Sequence, residues 1–176
     1  MPKPDTEKTE SEPNPSGLAS VFQTKSFLFF VFSVALLWAV AAAVIIKQNS
    51  KAVCTETYRQ DIKISVNSQT IDAQVAQTPA EQSKGLSGRS CIGKDQGMLF
   101  TFGTPGHYPF WMKDMRFNID IVWISPDHQV VHIEPNVAPS TYPDSFVNEA
   151  PAQDVLELAS GRAASLGLQT GTQLSY

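Results

Sequence analysis

One stretch limits this chain more than any other: Phe27 to Ile46 reads FLFFVFSVALLWAVAAAVII, without a charge and with Ser33 as its only polar side chain. At about 1.5 Å of rise per residue, a helix of that length crosses a hydrocarbon core of about 30 Å. A helix with no polar face has nothing to offer water, so a soluble buried helix fits poorly. The run predicts a transmembrane helix over 26–47, bracketed by Lys25 and Lys47. A cleaved signal peptide is the competing reading, because Ala41-Ala42-Ala43 and Ser50-Lys51-Ala52 both offer small-x-small patterns. A signal core usually has about 7 to 15 apolar residues, fewer than here, which favours the anchor.

The flanking charges do not fix the orientation, since Lys8 and Lys25 on one side nearly balance Lys47, Lys51 and Arg59 on the other. A signal anchor and a signal peptide both deliver the C-terminal domain to the far side of the membrane. The expectation is a single-pass protein of the cell membrane with its soluble domain outside the cytoplasm, or an exported domain after cleavage. Residues 1–25 are rich in Pro, Glu, Thr, Ser and Lys, the composition of a tail that cannot bury enough surface to order itself. Residues 48–60 are polar and read as a linker, leaving 61–176 as the domain.

The chain carries 13 Lys and Arg against 17 Asp and Glu, a net charge of −4 with no basic block, which argues against a nucleic-acid partner. Its two cysteines, Cys54 and Cys91, lack the C-x-x-C spacing of a zinc or redox motif. A bridge between them is the preferred reading in an oxidising compartment. A nucleophilic Cys54 would need a base and an electropositive setting, and neither is visible nearby. Cys54 also lies well past the apolar run and lacks a lipobox.

Within the domain, Ile62, Ile64 and Val66 alternate with polar neighbours, as do Ile71, Ala73 and Val75 after Ser68-Gln69, which predicts a β-hairpin. Thr78-Pro79-Ala80-Glu81 has the order of a capping box with Pro at the first helical position, opening a short helix to about Leu86. Gly97 to Phe102 is a buried strand, and Gly103 to Pro109 carries turn formers. Phe110 to Lys113 and Ile119 to Ile124 are further strands. Ser125-Pro126-Asp127-His128 turns the second of these into a strand at Val130, the strongest local pairing in the chain. Glu134 to Pro151 holds four prolines and reads as a long irregular connection. Val155 to Leu158 is a strand, Arg162 to Leu166 a short helix, and Thr170-Gly171 a turn into a last short strand. The fold class is α+β: a mostly antiparallel or mixed sheet, barrel-like if it closes, with two short helices.

Five segments occur in an order that carries a resemblance: Glu81-Gln82-Ser83-Lys84-Gly85-Leu86, Gly97-Met98-Leu99-Phe100, Phe110-Trp111-Met112-Lys113, Ile119-Asp120-Ile121 and Val155-Leu156-Glu157-Leu158. The chain resembles the domain of unknown function 192 family from about Ile62 to its end. The resemblance implies a small, mostly β domain, often behind a signal sequence. No established reaction or cofactor comes with it, so catalytic residues stay unassigned.

Asp120 is the most informative candidate, because an extended Ile119 to Ile124 places it beside Val122 and Ile124 on one face while the other face is also apolar. A partly buried carboxylate needs Lys113, Arg89 or Arg116, or several backbone N–H groups, and a structural role is preferred to a catalytic one. Trp111 and Lys113 share a face opposite Phe110 and Met112, so with Asp120 they form a candidate site for a cell-envelope glycan, peptide or protein, rimmed by His107 and Tyr108. The plainer reading, and the preferred one, packs Trp111 in the core. Arg89 and Glu81 complete the candidate set, Glu81 with a sufficient role in the capping box. His128, His132 and Glu134 share a strand face that is expected to be solvated, and no metal site is assigned. No G-x-S-x-G, H-E-x-x-H, phosphate-loop or dinucleotide pattern occurs. Two readings result: an anchored binding or structural module, which asks less of the sequence, and an envelope hydrolase using Asp120 with Glu149 or Glu157.

Overall fold

The computed structural model describes residues 54–176, and the tail, the apolar run 26–47 and the start of the linker lie outside them. Among the described residues no helix is long and apolar enough to cross a membrane. The chain folds as β1 (Ile62–Val66), β2 (Gln69–Ala76), α1 (Pro79–Lys84), β3 (Gln96–Gly106), β4 (Phe110–Trp111), β5 (Ile119–Ile124), β6 (Val130–Val137), a 3-10 turn (Pro139–Thr141), β7 (Ser145–Phe146), β8 (Ala152–Ala159) and α2 (Arg162–Ser165). Six strands make one mixed sheet in the order β1-β2-β3-β8-β5-β6, and β4 pairs with β7 in a separate ribbon.

The turn between β1 and β2 is Asn67-Ser68, both at positive φ (46° and 64°), which suits a two-residue hairpin. It falls one residue earlier than the sequence suggested. β2 runs parallel to β3, with α1 in the connection, and all other pairings in the large sheet are antiparallel. Gly97 sits where β3 lies between β2 and β8. A Cβ there would stand 3.0 Å from Leu156 Cδ1 and 3.1 Å from the carbonyl oxygen of Glu157, so only glycine fits. β3 continues through the expected turn at Gly103 as far as Gly106, with its register to β8 shifting between Thr101 and Gly106. Pro105 is tolerated because that stretch lies outside the regular ladder.

Alternation along the central strands divides the core. Ile64, Ile71, Leu99, Val122, Leu156 and Leu158 face α2 and the C-terminal segment. Met98, Phe100, Ile121, Trp123 and Val155 face α1 and the β4–β7 ribbon. Both faces are covered, so β5 apart from Asp120, and Val155 to Leu158 of β8 apart from Glu157, are apolar on both faces rather than alternating. The expected last strand is instead a segment that touches both edges of the sheet: Gly171 N–H donates to Val130 O (2.8 Å) and Ser65 and Ser175 exchange bonds of 2.9 and 3.0 Å. The edge strands β1 and β6 are thus linked through this segment and not by pairing with each other.

Residues 54–60, read from sequence as the end of a linker, are fastened to the domain. Cys54 is disulfide-bonded to Cys91, with Cα atoms 5.7 Å apart. Tyr58 Oη accepts from Gln74 N–H at 2.8 Å and Gly97 N–H at 3.1 Å, joining β2 to β3.

Candidate functional site

A pocket of roughly 290 Å³ lies between α1, β3, β8 and the β4 ribbon. Its construction starts with the capping box. Thr78 Oγ1 accepts from Glu81 N–H at 3.2 Å, and the Glu81 carboxylate accepts from Thr78 N–H at 3.0 Å. The Thr78 backbone and hydroxyl donors hold the Glu81 carboxyl down at about 2. The helix ends after one and a half turns at Gly85, whose φ of 48° and ψ of −135° suit glycine and redirect the chain so that Leu86 enters the core. Burying that leucine contributes roughly 2 kcal/mol and seats α1 on the sheet.

The opposite wall is aromatic. Phe100 meets Phe110 edge-on at 4.8 Å, and Phe110 meets Trp123 at 6.0 Å. Tyr108 stacks on Phe102 with centroids 3.6 Å apart. Its loop is held by Asn148, which is buried: Asn148 Oδ1 accepts from Tyr108 N–H at 3.2 Å, and its carbonyl lies 2.8 Å from His107 Nδ1. Trp123 Nε1 donates to Tyr108 O at 3.0 Å. The segment read as irregular thus supplies β7 and Asn148, which fix the ribbon over the sheet.

Glu157 lies at the bottom. It sits on β8 opposite Met98 of β3 and Ile121 of β5, and is only 5% exposed. Its Oε2 is buried without a hydrogen-bond partner, and it forms no ion pair among the described residues. A Cβ on Gly85 would stand 3.9 Å from that oxygen and 3.2 Å from Phe100 Cζ, so the glycine lets α1 close down beside the carboxyl. Burial with no compensating charge raises the Glu157 pKa to about 8. At neutral pH the group is a carboxylic acid, able to donate one hydrogen bond and accept others.

The candidates named from sequence do not gather. Trp111 is at the pocket rim and 48% exposed, not packed in the core as preferred, because β4 is a two-residue edge element with one face in solvent. Lys113 is exposed beyond β4 and is not part of the pocket wall, while its carbonyl accepts from Ser87 Oγ at 2.8 Å. Asp120 is 1% exposed but belongs to the other face of the sheet. Its carboxylate accepts from Asn136 N–H (2.9 Å), Gly161 N–H (3.1 Å) and Ala163 N–H (2.8 Å). Backbone donors, not Lys113, Arg89 or Arg116, satisfy it, and it anchors the start of α2. Arg89 donates to Gln74 Oε1 at 2.6 Å and lies over the Tyr58 ring. Glu81 is occupied by its cap and by Arg59 at 3.4 Å.

Asp120 and Glu157 therefore point to opposite faces and cannot flank one scissile bond, which removes that pairing from the hydrolase reading. Glu149 is exposed between β7 and β8. The histidines also separate: His128 stacks on Tyr176 at 4.1 Å, while His132 packs on Trp123 and lies 3.6 Å from Glu134. Among the described residues no three His, Cys, Asp or Glu side chains converge to hold a metal ion.

The residue that sequence reasoning undervalued is Glu157, weighed only as half of a hydrolase pair. The signal was its place inside Val155-Leu156-Glu157-Leu158, since an acid in a strand buried on both faces must be neutral or partnered. Four of the five segments that carry the resemblance contribute to this one pocket: Gln82 to Leu86, Phe100, Phe110 with Trp111, and Glu157.

Residues 62–176 match the family model DUF192, described as "Uncharacterized ACR". The fold is similar to that of a protein of unknown function from Novosphingobium aromaticivorans DSM 12444, at 29% identity and a TM-score of 0.64, over 71% of this chain and 91% of that one. It is also similar to a protein from Sinorhizobium meliloti 1021 described as a "putative transcription regulator", at 25% identity and a TM-score of 0.61, over 68% of this chain and 97% of that one. No curated protein matches the chain.

Proposed function

Because the chain belongs to the DUF192 family, in which no reaction is established, we propose on the chemistry of its pocket that it is a ligand-binding module of the cell envelope. The ligand is a small, largely apolar molecule or side chain whose polar group meets Glu157. The observation that carries this reading is the unpartnered carboxyl at the bottom of an aromatic pocket open at the Trp111 rim. A buried polar group without a partner is costly, and a pocket with few polar groups and a perturbed acid is the default form of a binding site.

The envelope setting rests on two independent features. The uncharged run Phe27 to Ile46 is long enough for a single membrane span, and the Cys54–Cys91 bridge suits an oxidising compartment. The domain would then stand outside the cytoplasm, within reach of envelope glycans, peptides or proteins. The description of the Sinorhizobium meliloti relative does not carry over readily, since a net charge of −4 with scattered cations disfavours nucleic acid. Hydrolysis is the weaker reading, because the other buried carboxylates among the described residues, Asp120 and Asp154, lie on the opposite face of the sheet from Glu157.

The test is a panel of envelope sugars, peptides and small aromatic or aliphatic compounds, screened by ligand-observed NMR against the full chain, Trp111→Ala and Glu157→Gln. Binding that weakens at least fivefold in Trp111→Ala and changes in Glu157→Gln supports the pocket; equal binding by all three folded proteins refutes it. A C-terminal reporter fusion active only in the cytoplasm would refute the localisation.

A further inference from the structure

Resting on the ligand-pocket reading, we infer that the ligand's polar group is an organic ammonium, seated against the aromatic wall with the Glu157 carboxylate as its counter-ion. The geometry selects this chemistry. Phe100, Phe102, Tyr108, Phe110 and Trp111 all border the pocket, and ring faces attract cations. The buried acid among the wall residues is Glu157, whose Oε2 has no donor from the protein. An anionic ligand would meet that acid with no cation paired to it. A neutral apolar ligand would leave the carboxyl as unpartnered as before. An ammonium supplies the missing counter-charge, and one that carries an N–H supplies the missing donor as well, and the small volume admits a head group or the end of a side chain.

Few polar groups face Glu157 from the elements packed around it. α1 contributes Gln82, whose amide donates to Thr101 O, with Ser83 and Lys84, exposed and in no ion pair with Glu157; Ser87 beyond it donates to Lys113 O, the loop before β4 contributes Tyr108, and the neighbours on β3 and β5, Met98 and Ile121, are apolar. With no cation fixed against the acid, a ligand that brings one must displace the carboxyl proton. Binding is then an exchange: the neutral Glu157 carboxyl gives its proton to solvent as the ammonium enters, and charge balances in the pocket. Affinity consequently rises with pH, approaching tenfold per pH unit, until the free acid is itself ionised.

The experiment compares choline, whose charge does not titrate, with its uncharged carbon isostere 3,3-dimethylbutan-1-ol, by calorimetry on the full chain from pH 6 to 9. The expected result is choline binding at least tenfold tighter than the isostere at pH 8.5, tightening about tenfold per unit between pH 6 and 7.5, and releasing close to one proton at pH 7. Glu157→Gln should lose that preference and the proton release, its fold checked by a cooperative urea transition matching the parent at pH 4.5. If the isostere equals choline at every pH, the ammonium inference is overturned and the ligand pocket stands. If neither binds, the inference is overturned, and the pocket reading is then decided by the NMR panel.

Discussion

Replacing Glu157 with Gln should convert a pH-sensitive domain into one that is much less so, and the size of the change is set by the burial. Glu157 has a folded-state pKa of about 8 against an ordinary value of 4.5, a difference of about 3.5 units. A raised carboxyl pKa means that the folded state holds the proton more tightly than the unfolded chain. Its contribution is therefore complete below pH 4.5 and lost as pH rises through 8. At about 1.4 kcal/mol per unit, the wild-type chain loses roughly 5 kcal/mol across that window from this one group. Glutamine keeps the shape and cannot ionise. Urea unfolding with the disulfide intact, from pH 4.5 to 8.5, should give parent and Glu157→Gln proteins of similar stability at the acid end. The variant should then gain about 3 kcal/mol relative to the parent between pH 5 and 7.5. A difference that stays flat within about 0.5 kcal/mol would mean that Glu157 is solvated or paired in solution, and the pocket chemistry that depends on its isolation would fall with it.

Other perturbations have equally definite outcomes. Asp120→Ala leaves three backbone N–H groups without their acceptor and should cost about 3 to 5 kcal/mol in urea unfolding, with ligand affinity of the folded fraction unchanged because Asp120 lies across the sheet from the pocket. A neutral result would show that water replaces the carboxylate. Converting both Cys54 and Cys91 to Ser releases a constraint across a sequence separation of 37 and should cost about 4 kcal/mol by loop-closure entropy, with the reduced parent matching the variant.

Much of the domain was legible because it is local. The β1–β2 and β5–β6 hairpins and the Thr78 capping box are all dictated by neighbours in sequence. The illegible part depends on distant strands. The parallel β2–β3 pair and the insertion of β8 between β3 and β5 cannot be read from alternation, and they decide which face each acid occupies. Asp120 and Glu157 both appeared as acids in apolar strands. Only the register, Asp120 opposite Leu158 and Ile121 opposite Glu157, separates them into a capped anchor and an unpartnered pocket floor. Trp111 misled for a related reason: tryptophan is usually buried, but here the covering element is a two-residue ribbon that leaves one side of the indole in water.

Whether the Glu157 pocket binds a ligand is decided by a crystal structure of the protein soaked with the tightest-binding compound of the panel. Ligand density is expected between Gly85, Phe100 and Trp111, with a polar atom within hydrogen-bond distance of the Glu157 carboxyl. Density seated elsewhere, at Asp120 or on the outer surface, with the Glu157 pocket unchanged, would contradict the assignment.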